Sequence, residues 1–84
     1  MAKVVVYSKT YCPFCVRAKN LLNEKGAQFE EIMVDSDPEL FADLKKKSGM
    51  MTVPQIFIDD KLIGGFTELA ELDQQGGLDP LLNA

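Results

Sequence analysis

Val4-Val5-Val6-Tyr7-Ser8-Lys9-Thr10-Tyr11-Cys12-Pro13-Phe14-Cys15 decides how this 84-residue chain folds. Val4 to Tyr7 is β-branched and aromatic without polar alternation, the pattern of a strand buried on both faces, as in a parallel sheet covered by helices. Thr10-Tyr11-Cys12-Pro13 then opens a helix, with Pro13 at the first helical position, where a missing N–H costs nothing. Cys15, Ala18 and Leu22 repeat at spacings of three and four and give that helix one apolar stripe; Gly26 stops it.

The rest of the chain extends this strand–helix unit. Gln28 to Val34 reads as a second strand, parallel to the first through a right-handed crossover. Asp37-Pro38-Glu39 is a cap, a proline and an early acid that open a second helix, packed through Leu40, Phe41 and Leu44. Lys45-Lys46-Lys47 closes it beside Gly49, complementing the helix dipole rather than forming an anion site. Gln55-Ile56-Phe57-Ile58 and Lys61-Leu62-Ile63 form an antiparallel hairpin about Asp59-Asp60. Gly64-Gly65 precedes a helix opening near Thr67, with Leu69 and Leu72 inward and Gly76-Gly77 at its end. Leu78, Leu81 and Leu82 make a last amphipathic turn started by Asp79-Pro80. The order is β-α-β-α-β-β-α, an α/β class with a central four-stranded mixed sheet flanked by helices, and residues 1–84 have room for one domain.

Composition narrows the function. The apolar fraction of 46% and charged fraction of 26% suit a globular chain, and the longest early apolar run, Val4-Val5-Val6-Tyr7, is far too short for a signal peptide or a membrane span. A net charge of -4 argues against sequence-independent nucleic-acid binding. The chain has no histidine, which excludes His-based triads, His-ligated metal and imidazole proton shuttling. Charge is uneven: Lys3, Lys9, Arg17, Lys19 and Lys25 meet only Glu24 within residues 1–25, whereas twelve acids lie beyond. A positive field near both cysteines would favour a thiolate.

Cys12-Pro13-Phe14-Cys15 between a strand and a helix points to thiol–disulfide exchange. Residues three apart in a helix share a face at a separation that suits a disulfide. Cys12 stands at the helix entrance, where free N–H groups favour an anion, and Cys15 should be the more buried. Lowering a thiol pKa from ~8.5 to ~5 raises the thiolate population roughly thirtyfold at neutral pH. A Brønsted slope of ~0.4–0.5 takes back a similar factor in attack, so the gain lies in Cys12 as a leaving group. Zinc would need a second ligand pair, which is missing. A copper carrier of similar size usually reads Met-x-Cys-x-x-Cys, whereas Thr10 stands here at the methionine position. A purely structural disulfide does not suit a reducing compartment.

Tyr7-Ser8-Lys9-Thr10-Tyr11-Cys12-Pro13-Phe14-Cys15, Thr52-Val53-Pro54-Gln55-Ile56-Phe57-Ile58 and Gly64-Gly65-Phe66 together resemble the glutaredoxin family, in its order and spacing across essentially the whole chain. The type is similar to the short dithiol glutaredoxins of bacteria, which share a tail like Gly76 to Leu82. The resemblance implies a thioredoxin-like fold, Cys12 as nucleophile, Cys15 as resolving thiol and a cis Pro54 that presents the Val53 backbone to substrate. It implies a glutathione site at Lys9, Phe14, Thr52, Val53, Pro54, Gly65, Phe66 and Thr67. There Val53 pairs with the cysteinyl part like a sheet edge. The helix start at Phe66-Thr67 meets the γ-glutamyl carboxylate, Lys9 meets the glycyl carboxylate, and Phe14 packs beside the sulfur.

The family commonly has Tyr where Phe14 stands and Asp where Thr67 stands. Thr67 would keep a cap hydroxyl but lose the charge for the glutathione ammonium, which predicts weaker glutathione discrimination. Met50-Met51 replaces usual polar or basic residues and is expected to pack the loop. The expected protein is a cytoplasmic monomer that reduces glutathione mixed disulfides and protein disulfides, with glutathione as co-substrate, no bound cofactor and no metal. Its redox poise should fall near the ~-200 to -230 mV of glutaredoxins. Two alternatives are a redoxin reduced by thioredoxin reductase, against which the lack of Trp-Cys-Gly-Pro-Cys counts, and a glutathione-ligated [2Fe–2S] dimer, against which Pro13 counts.

Overall fold

In the computed structural model, which describes residues 2–83, β1 (Val4–Ser8), α1 (Pro13–Glu24), β2 (Glu30–Met33), α2 (Pro38–Ser48), β3 (Gln55–Ile58), β4 (Lys61–Gly64), α3 (Phe66–Gln74) and α4 (Leu78–Leu82) follow in that order. The strands form one sheet ordered β2-β1-β3-β4. β1 and β2 are parallel, while β3 runs antiparallel to both β1 and β4.

Alternation along the two central strands sorts the core. Val4, Val6, Ile56 and Ile58 face Ala18 and Leu22 of α1, Leu69 of α3, and Leu78 and Leu82 of α4. Val5 and Phe57 point the other way, onto Val34 and Leu44, with Leu40 and Phe41 of α2 partly buried beside them. Each fully buried Leu or Ile contributes roughly 1.5–3 kcal/mol, so the α1–α3–α4 side carries most of the apolar stabilisation.

Local signals end the elements where their chemistry requires. Asp37 accepts from the Leu40 N–H at 3.1 Å, Pro38 follows it, and Gly49 ends α2 in the left-handed conformation. Asp59 and Asp60 both have positive φ, the geometry of a tight hairpin turn. Lys45 and Lys47 also lie over the Phe41 and Phe57 rings, at 4.1 and 5.2 Å from the centroids.

Three expectations need correction. The second strand is Glu30–Met33 rather than residues 28–34. It is an edge strand whose pairing with β1 begins at Val5↔Glu30, so Gln28 and Phe29 lie before the ladder. The third helix starts at Phe66 with Gly65 as its cap, so Thr67 lies inside the first turn and provides no cap hydroxyl. The last leucine turn is a five-residue helix, α4, an eighth element whose Leu78 and Leu82 belong to the main core.

Candidate active site

β1 delivers the chain into a short loop held from outside, because the Thr10 N–H donates to Asp35 Oδ2 at 3.0 Å. That bond holds the Asp35 carboxyl below its ordinary pKa. Tyr11 then adopts φ 57°, uncommon for a non-glycine residue, and is 96% exposed. The turn leaves Cys12 as the N-cap of α1, with extended backbone angles. The Cys15 N–H donates to Cys12 Sγ at 3.2 Å, so the sulfur takes the place of a capping oxygen. Cys12 and Cys15 are joined as a disulfide with Cα atoms 5.1 Å apart. Cys15 is 1% exposed against 7% for Cys12, the expected order.

Facing the dithiol is the loop before β3. The Val53–Pro54 peptide is cis, and the Val53 carbonyl lies 3.9 Å from Cys12 Sγ. Beyond it opens a groove of about 330 Å³ that brings together seven of the eight expected binding residues: Phe14, Thr52, Val53, Pro54, Gly65, Phe66 and Thr67. The Phe14 and Phe66 rings lie 6.4 Å apart, and Arg17 sits over the Phe14 ring at 5.3 Å from its centroid. Lys9 does not line the groove; it is exposed on the loop between Ser8 and Thr10.

Two further residues line the groove that the sequence reading did not assign to it. Met50 reaches it instead of only packing the loop, whereas Met51 is 74% exposed and packs little. Glu68 contributes a carboxylate that accepts from the Gly65 N–H at 2.7 Å. Its place, three residues beyond the helix cap, was the available sequence signal for that contact. Gly64 has φ 125°, and a Cβ there would meet Glu68 Cγ at 2.8 Å, which makes glycine the fitting residue.

The basic N-terminal segment is partly neutralised. Lys19 pairs with Glu31 at 2.7 Å, and Ser8 Oγ donates to the same carboxylate at 2.6 Å; together these hold Glu31 below the usual glutamate range. Lys25 at the end of α1 pairs with Asp73 at 2.6 Å and Asp79 at 3.3 Å. These pairs tie α1 to β2, α3 and α4, so neither lysine is an uncompensated charge that could bias the cysteines.

A buried cysteine pair at a helix start, opposite a cis-proline loop on a four-stranded mixed sheet, defines a thioredoxin-like dithiol redoxin. The glutaredoxin family model matches residues 4–63. A glutaredoxin of Pseudomonas aeruginosa is 49% identical over 84 residues, covering all of both chains. Glutaredoxin 3 of Escherichia coli is 51% identical over 82 residues, 98% of this chain and 99% of the relative. Among solved structures, the crystal structure of a buckwheat glutaredoxin–glutathione complex superposes with a TM-score of 0.93 at 38% identity, covering 98% of this chain and 77% of that one. The chain belongs to the glutaredoxin family, and its activity is thiol–disulfide oxidoreduction.

Proposed function

We propose that Cys12 is the nucleophile and Cys15 the resolving thiol of a glutathione-dependent oxidoreductase that acts on both glutathione mixed disulfides and protein disulfides. The observation that carries this assignment is the Cys15 N–H on Cys12 Sγ, a sulfur 3.9 Å from the carbonyl of the groove-lining Val53. That donor and the helix start stabilise a thiolate on the more exposed sulfur.

In the first route, Cys12 thiolate attacks the glutathione sulfur of a mixed disulfide. The substrate leaves as a thiolate, and Cys12 carries glutathione. A second glutathione thiolate attacks that glutathionyl sulfur, releasing glutathione disulfide and Cys12 thiolate. In the second route, Cys12 forms a mixed disulfide with the protein substrate, and Cys15 attacks Cys12 Sγ. The reduced substrate leaves the Cys12–Cys15 disulfide, which two glutathiones reduce. Both electrons come from glutathione thiols, so the chemistry requires no bound cofactor.

Glutathione fits the groove with its cysteinyl backbone along Val53 and its γ-glutamyl carboxylate at the Phe66 and Thr67 N–H groups. Phe14, Thr52, Pro54 and Gly65 form the walls, and Lys9 reaches the glycyl carboxylate from outside. Glu68 supplies negative charge near the ammonium where Thr67 supplies none. That buckwheat glutaredoxin was solved as a glutathione complex supports this reading. The reading takes the protein as a monomer with one domain over residues 1–84. Among the described residues no helix is long and apolar enough to cross a membrane. Dependence on reduced glutathione favours the cytoplasm as its compartment.

A glutathionylated peptide coupled to glutathione, glutathione reductase and NADPH tests the proposal. Glutathione-dependent NADPH loss is the expected result. Turnover supported by thioredoxin reductase but not by glutathione would overturn it.

A further inference from the structure

All four side chains of β3 are buried, yet one of them is an amide. Gln55 has no exposed surface. Its Nε2 donates both hydrogens back along the chain, to the Met50 carbonyl at 3.2 Å and the Thr52 carbonyl at 3.0 Å. Its Oε1 is buried without a partner among the described residues. An unpaired buried acceptor is a penalty that an apolar side chain of similar length at this strand position does not carry. Something other than core packing has to explain an amide here.

The bonded carbonyls belong to the loop between α2 and β3, which is neither helix nor strand. Met50, Thr52 and Val53 of that loop line the groove, and Val53 faces Cys12 Sγ. The loop is pinned at its start by Met50 N–H donating to Ser48 Oγ at 3.1 Å. Between that point and β3, the Gln55 amide spans the segment from inside.

We propose that Gln55 is a positioning residue for the thiol–disulfide reaction: its amide holds the Met50–Val53 loop at the depth where the Val53 backbone can pair with an extended glutathionyl ligand. The inference rests on the glutathione reading above. Gln55 lies behind the loop, outside the residues that line the groove. Its loss therefore leaves the sulfur chemistry set by α1 intact, while the ligand must order the loop as it binds. Half-saturation should suffer and the limiting rate should not.

The test is single-turnover reduction of a glutathionylated peptide by reduced wild type, Gln55→Leu and Gln55→Glu. Gln55→Leu should raise the half-saturation concentration about tenfold, as expected for losing two neutral hydrogen bonds, with the limiting rate within about twofold. Its Tm should stay within about 5 °C of wild type. If Gln55→Leu does not fold, Gln55→Glu decides. An ionised carboxylate cannot donate, and its protonated form donates once, so its half-saturation ratio to wild type should fall as pH is lowered. A folded variant with wild-type half-saturation overturns the inference, as does one that loses only limiting rate. Failure of the glutathione reading has a different signature: wild type would then react equally well with a peptide disulfide that lacks glutathione.

Discussion

α1 and α3 begin with different answers to the same problem. Every helix start leaves N–H groups without intrahelical partners. α2 solves this with Asp37, an ordinary carboxylate cap. α1 uses Cys12 Sγ, so a reactive atom performs the capping. α3 has no side-chain cap; Glu68 takes the Gly65 N–H, and the first-turn residues Phe66, Thr67 and Glu68 line the groove. One start carries the sulfur of the redox pair and another lines the groove without a side-chain cap, where the proposed reading puts glutathione, while the ordinary start lies on the opposite side of the sheet.

Substitutions at the three starts should separate stability from chemistry. The largest effect belongs to α1: Cys12→Ser should reduce both routes to background in the coupled assay, while the protein stays folded. At α3, Gly64→Ala forces a Cβ onto the Glu68 side chain at a positive φ. It should cost roughly 1–3 kcal/mol in urea denaturation and raise the KM for glutathionylated peptide. At α2, Asp37→Ala should cost about 1 kcal/mol and leave kcat/KM unchanged; a loss of activity there would break the division between the starts. The smallest effect should be Thr67→Asp, which adds the acid the family commonly has. An exposed ion pair of ~0.2–1 kcal/mol predicts up to roughly fivefold lower KM for the glutathionylated substrate.

Where local chemistry decided the structure, the sequence was legible. The valine run of β1, Pro13 after Cys12, the Asp37-Pro38 start and the Asp59-Asp60 turn each carry a steric or hydrogen-bonding reason visible in a few residues. So do Cys12 and Cys15, whose relative burial follows from helical spacing. Tertiary pairing decided the rest. The limits of β2 depend on its register with β1, since Glu30 and Glu31 have no apolar pattern of their own. The helix opens near Thr67 as expected, but Thr67 is not its cap, because Gly65 takes that position and Glu68 folds back onto the glycine. Gln55 stands beside Pro54 in the motif block, but nothing local says its amide reaches two carbonyls of the preceding loop. Seven residues of the expected glutathione site come together in one groove, and Lys9 stands outside it.

Mass spectrometry of Cys12→Ser and Cys15→Ser after incubation with glutathione disulfide tests the division of labour between the two cysteines most directly. The account predicts one glutathione on Cys12 in the Cys15→Ser protein, released by added glutathione, and none on the buried Cys15 in the Cys12→Ser protein. Equal labelling of both, or labelling of Cys15 alone, would contradict it.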